Sequence, residues 1–158
     1  MSSTNNSRAP HIVAGVDGSV ESLAALRWAI RQAELTGGTV DAVIAWELPV
    51  PATGYGWAPL TRAESQEYVE IATKTLHEAI SKVAGPNGNP RVHPVVRSGR
   101  PAQVLLDASA GADLLVVGSR GHGLFADMLL GSISQHCFRH AKCPVVIMRG
   151  EPATAKAA

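Results

Sequence analysis

The chain reads as a single α/β domain, a five-stranded, mainly parallel sheet with helices on both faces. Three observations predict it. Short β-branched runs alternate with longer amphipathic stretches along the 158 residues. The runs are apolar almost throughout, as in strands covered on both sides. Glycine- and proline-rich breaks separate them. Such alternation gives parallel strands joined by right-handed crossovers.

His11 to Asp17 form the first predicted strand. A helix follows, capped near Ser19, with Leu23, Leu26, Ile30 and Ala33 on one stripe and Gly37-Gly38 as its stop. Thr39 to Trp46 make the second strand. Glu47 to Thr61 carry Pro49, Pro51 and Pro59, which no regular element tolerates, so this stretch is a loop. With Tyr55 and Trp57 it is a lid over a pocket, a partner surface, or a loop folded onto its own domain. Arg62 to about Val83 is the longest helix, with Val69, Leu76, Ile80 and Val83 at helical spacing, and Gly85-Pro86-Asn87-Gly88 ends it. Arg91 to Arg97 form the third strand, and Gly99-Arg100-Pro101 opens a short helix with proline in the tolerated first turn. Asp113 to Gly118 are the fourth strand, followed by a glycine loop and a last helix, and Pro144 to Met148 are the fifth. The polar segment 1–9 and the Ala-rich tail 150–158 are expected to be disordered around a domain spanning 10–149.

Bulk properties exclude several classes. With 46% hydrophobic residues and a net charge of +1, the chain is a soluble globular protein with no field to gather nucleic acid. No apolar run approaches bilayer length and the opening lacks a signal-peptide core, so the expectation is a cytoplasmic protein without a membrane partner. Cys137 and Cys143 fit neither a redox CxxC pair nor a zinc site, and reduced thiols are expected. His11, His77, His93, His136 and His140 stand at spacings that build no metal site.

The most informative stretch runs from Val116 to Gly123 and on to Ser134. Gly118, Gly121 and Gly123 lack Cβ atoms, so the backbone there is free to take positive φ and aim several N–H groups at one anion. Gly131 allows a second close approach before Ser132, whose spacing to Gln135 fits a capping box at a helix start that also favours phosphate. Together these form a phosphate cradle. Ser119, Ile133 and Ser134 belong to the same two turns. Arg120 and His122, inside the loop, either meet phosphate oxygens or point into water. Ligands of parallel sheets bind beyond the strands' carboxyl ends, where Gly15, Val16 and Asp17 close the first strand and Ala45 nears the end of the second. Asp17 either accepts from an adenine amine or a ribose hydroxyl, or caps the following turn. A Walker ATPase is excluded by the absence of G-x-x-x-x-G-K-[ST]. No catalytic residue or metal ligand is assigned. The last strand has no later element to cover it, and as an edge it would invite pairing with a second copy.

These residues resemble the universal stress protein family, in its ATP-binding glycine-signature subgroup. The resemblance covers His11 to Met148 and rests on Val16-Asp17-Gly18-Ser19, Ser98-Gly99-Arg100-Pro101, the run from Ala112 to Gly121, Gly131-Ser132-Ile133-Ser134 and Cys143-Pro144-Val145-Val146. Gly118, Gly121, Gly131 and Ser132 meet the family's G-x-x-G, nine residues, G-[ST] signature. The resemblance implies a Rossmann-like sheet and a homodimer joined through Pro144 to Met148. It also implies ATP, with adenine near Asp17 and the backbone of Ala45 and phosphates over Gly118 to Gly123 and Gly131 to Ile133. Magnesium would be held mainly by the phosphates. Relatives that prefer AMP or cyclic AMP leave that choice open. A nucleotide-dependent stress regulator or sensor is expected, with at most slow ATP hydrolysis or autophosphorylation. An interaction protein with a vestigial pocket is the remaining alternative.

Overall fold

The apolar runs become strands β1 (His11–Gly15), β2 (Thr39–Trp46), β3 (Val92–Ser98), β4 (Leu114–Gly118) and β5 (Val145–Met148). Between them lie helices α1 (Val20–Thr36), α2 (Arg62–Ala84), α3 (Pro101–Ser109) and α4 (Ser132–His140). The computed structural model describes residues 8–48, 61–121 and 130–150. The strand order is β3-β2-β1-β4-β5, and every neighbouring pair is parallel. From β1 the chain steps outward through β2 to β3, then returns to the other side of β1 for β4 and β5. Strand order therefore reverses between β1 and β4, and a crevice opens beyond their carboxyl ends.

Alternation along the strands divides the core in two. Ile12, Ala14, Val40, Ala42, Ile44 and Val116 pack with Leu26 and Ile30 of α1 and Leu76 and Ile80 of α2. Val13, Val43, Leu115 and Val117 pack on the opposite face with Val104 and Leu105 of α3 and Cys137 of α4. Each fully buried leucine, such as Leu26 or Leu76, contributes roughly 1.5–3 kcal/mol. Trp46, at the end of β2, stacks on Tyr68 of α2 with ring centroids 6.4 Å apart. Tyr55, Trp57 and most of the expected loop lie outside the described residues.

Several local expectations are corrected. The first strand ends at Gly15 rather than Asp17, although the Val16 N–H still donates to Val43 O at 2.8 Å. Gly18, at φ 83°, then turns the chain into α1, whose expected cap is present: Ser19 Oγ accepts from the Ser22 N–H at 3.2 Å. The third strand is shifted one residue onward. The fourth starts at Leu114, because the Asp113 carboxylate is engaged by the His11 N–H at 2.7 Å. That bond holds the Asp113 carboxyl below its usual range.

The capping box expected at Ser132 and Gln135 is absent. Ser132 is already helical, the cap is Gly131 without any side-chain bond, and Gln135 Nε2 is placed 3.5 Å from Leu130 O. A capping box does stand at α2, where Thr61 Oγ1 accepts from the Glu64 N–H at 3.3 Å and the Glu64 carboxylate accepts from the Thr61 N–H at 2.7 Å. The Thr61 backbone bond, with its hydroxyl, lowers the Glu64 carboxyl below its usual range. Of the flanking segments, residues 1–7 and 151–158 lie outside the described residues, while Arg8 pairs with Asp113 at 3.4 Å.

Candidate functional site

At the crevice between β1 and β4 lies a cleft of about 380 Å³, within the roughly 300–1,000 Å³ range usual for ligand pockets. Eleven of the residues singled out in the sequence line it: Gly15, Val16, Asp17, Ala45, Gly118, Arg120, Gly121, Gly131, Ser132, Ile133 and Ser134. They come from the ends of β1, β2 and β4 and from the start of α4, brought together by the strand order. His122 and Gly123 lie outside the described residues.

Ser119 takes a different place. It is buried, and its N–H donates to Met148 O at 2.7 Å, extending the β4–β5 ladder by one bond. Its carbonyl oxygen then accepts from the Gly131 N–H at 2.6 Å and lies 3.0 Å from Ser134 Oγ. This one carbonyl ties the exit of β4 to the entry of α4. The two glycine turns are therefore held side by side across the intervening segment. With the Gly131 amide committed, the N–H groups of Ser132, Ile133 and Ser134 are those of the α4 first turn without an i−4 helical acceptor. They carry the positive end of the helix dipole to the cleft.

The glycines serve close approach rather than positive φ, for none of Gly118, Gly121 and Gly131 stands at positive φ. A Cβ at Gly118 would stand 2.7 Å from Glu21 Cβ and 2.8 Å from the Glu21 carbonyl carbon, so β4 can run under the start of α1 only without a side chain there. At Gly121 a Cβ would stand 2.6 Å from Asp17 Oδ2. Asp17 thus does two things. Oδ1 accepts from the Ser19 N–H at 2.9 Å and braces the β1–α1 turn, while Oδ2 faces the glycine loop.

The rest of the lining, Ser19, Ser22, Val43, Pro101, Leu105 and Val117, was not among the residues assigned to the site from the sequence, although Ser19, Pro101 and Val117 stand in its motifs. Val43 and Val117 share the strand parity of Ala45 and Val13, so alternation alone signals them. Pro101 closes a motif that was not tied to the site, and Leu105 had no signal at all, because nothing local says which sheet face α3 covers. The cleft is consequently two-sided. Among the described residues, Val43, Ala45, Pro101, Leu105 and Val117 make an apolar wall, and Gly118, Gly121, the α4 first turn and the Arg120 guanidinium make a polar one. A flat, weakly polar ring and an anionic group suit these two walls.

Elsewhere, His11 Nε2 and His93 Nδ1 stand 2.9 and 3.3 Å from the two oxygens of Asp41, at the amino end of the sheet and away from the cleft. His136 and His140 face each other on α4 with ring centroids 4.5 Å apart. Among the described residues no group of three His, Cys, Asp or Glu side chains is placed to hold a metal ion. Both cysteines are free thiols, and burial pushes the Cys137 thiol up to about 11. No described helix is long and apolar enough to cross a membrane.

A parallel five-stranded sheet with helices on both faces and a cleft at its switch point defines the class as a Rossmann-like α/β domain. The model of the universal stress protein family matches residues 9–149, and the chain belongs to that family. It is 36% identical over 159 aligned residues to universal stress protein Rv2623 of Mycobacterium tuberculosis, covering 96% of this chain and 50% of that protein. The chain therefore spans about half the length of that curated relative. Among solved structures, the universal stress protein UspA from Lactobacillus plantarum superposes with a TM-score of 0.69 at 21% identity, over 91% of this chain and 100% of the other. A universal stress protein solved in complex with cAMP superposes with a TM-score of 0.62 at 23% identity, over 89% of this chain and 97% of the other.

Proposed function

We propose that the cleft binds an adenine nucleotide, ATP accompanied by Mg2+, and that the protein acts as a nucleotide-dependent regulator or sensor in the stress response. One observation carries this: an apolar wall and the open first turn of α4 face the same cleft, held in register by the Ser119 carbonyl. The base fits against Val43, Ala45 and Val117, with Gly15, Val16 and Asp17 beside base and ribose. Gly118, Arg120, Gly121, His122 and Gly123 would take the phosphates from one side, and Gly131, Ser132, Ile133 and Ser134 from the other. Gly121 fits this role because the wall it forms already touches Asp17 and has no room for a side chain. When bound, magnesium supplies charge neutralisation to the phosphates, and the phosphates would be its main ligands.

The same site is not proposed as a turnover catalyst. Asp17, the carboxylate among the described residues of the cleft lining, spends one oxygen on the Ser19 amide that braces a turn. Hydrolysis is expected to be a slow leak. A second reading, preference for AMP or cyclic AMP, is favoured by the structural neighbour solved with cAMP. A monophosphate needs only one of the two turns. Calorimetry of the purified chain with ATP, AMP and cAMP tests the proposal: tightest binding of ATP supports it, tighter cAMP binding moves the assignment to the second reading, and no binding of any of them ends both.

The proposal extends to a homodimer through β5. This strand is an edge paired to β4, and Val145, Val146, Ile147 and Met148 are all left half-buried. Apolar edges of this kind are stabilised by pairing with a second copy.

A further inference from the structure

The apolar end of the cleft is floored by a contact between two distant elements. Leu105 of α3 lies over Gly15 of β1: a Cβ built on Gly15 would meet Leu105 Cδ1 at 2.9 Å, Leu105 Cδ2 at 3.3 Å and Val117 Cγ1 at 3.5 Å. Pro101, one helical turn earlier, lines the cleft from the same face of α3. Leu105 is 6% exposed and packs in the core cluster with Val13, Val43 and Val117, so it has no room to sink toward the sheet. Its free side is the cleft.

We propose that Leu105, seated over Gly15, sets how large a ring the cleft admits and so determines base selectivity. The proposal rests on the nucleotide reading above and goes further by naming the residue that limits the size of the base. A ring entering between the β2 end and α3 stops against the Leu105 methyls. Trimming Leu105 lowers the floor. Adding a methyl at Gly15 has the opposite effect, because the flexible end of Leu105 is what must give way, and it gives toward the cleft.

The test compares two probes on the full chain, ATP and its wider-ringed analogue 1,N6-etheno-ATP, with dissociation constants measured by calorimetry for wild type, Leu105→Ala, Leu105→Val and Gly15→Ala. The quantity read is the ratio of the two constants within each variant, in which any general weakening of the fold or of phosphate binding cancels. Wild type is expected to prefer ATP. Leu105→Ala, which removes three carbons, is expected to shift the ratio toward the analogue by about tenfold or more, since a single methylene in an apolar pocket is already worth about tenfold. Leu105→Val, the milder change should the alanine variant fail to melt cooperatively, shifts it the same way by less. Gly15→Ala is expected to shift it against the analogue. Folded variants that bind ATP with the wild-type ratio overturn the role of Leu105 while leaving the nucleotide reading intact. A wild-type chain that binds neither probe overturns both.

Discussion

Replacing Gly121 will strike Asp17 before it strikes any ligand. A Cβ there would stand 2.6 Å from Asp17 Oδ2, well inside van der Waals contact. The carboxylate moves as a unit, so turning Oδ2 aside withdraws Oδ1 from the Ser19 N–H that it holds at 2.9 Å. Losing a charge-assisted bond of that kind, or straining the side chain to keep it, costs about 1–2 kcal/mol. For a chain of this size that is a fall of roughly 2–8 °C in melting temperature for Gly121→Ala. The branched side chain of Gly121→Val should in addition abolish ATP binding in calorimetry, because it stands in the wall proposed to take phosphate. A double-mutant cycle isolates the contact. Asp17→Ala removes both the brace and the obstacle, so Gly121→Ala made in that background should destabilise less than in wild type, with a coupling of about 1 kcal/mol from chemical denaturation. Additivity within about 0.3 kcal/mol would show that the loop shifts freely and that Asp17 does not meet it.

Further expectations concern the frame around the site. Gly118→Ala sets a methyl against the backbone of Glu21, with no flexible atom to yield; urea denaturation should show a loss of about 1–3 kcal/mol, and an unchanged midpoint would contradict the close packing of β4 under α1. At neutral pH a thiol reagent should modify Cys143 ahead of Cys137, whose thiol burial keeps protonated. Because folding raises the Cys137 pKa, the native state holds the extra proton at high pH; its contribution to stability is complete below 9.0 and is lost as pH rises through about 11. A Cys137→Ala variant that lost stability over that window as steeply as wild type would refute this. In sedimentation, the wild-type chain at micromolar concentration should run at twice 16.5 kDa, and a proline placed at Ile147 in β5 should weaken that association; a wild-type monomer removes the dimer proposal.

Much of the fold was legible because the strands are bounded apolar runs and the helices carry clear stripes and stops. The sheet's strand parity even points to Val43 and Val117 in the cleft. Failures fall where pairing across the fold decides. Ser132 and Gln135 had the spacing of a capping box, but the Ser119 carbonyl, from another element, sets the approach to α4 and leaves the cap to Gly131. The same pattern at Thr61 and Glu64 was equally visible, and there both reciprocal bonds of the box are made. The cradle glycines were legible as a motif but not in their mechanism, since their near neighbours, Asp17 and Glu21, come from the turn after β1 and the start of α1, far away in sequence. Leu105 and the His11–Asp41–His93 contact depend on which strands and faces meet, and no local spacing encodes that.

The central claim is that backbone amides at the α4 start and at Gly121 receive a nucleotide's phosphates. Amide resonances of the 15N-labelled chain, followed during titration with MgATP, test it most directly. The largest shifts should fall on Gly121, Ser132, Ile133 and Ser134, with smaller ones on Val16 and Ala45. Saturable shifts confined to another surface, or no shifts at all, would contradict it.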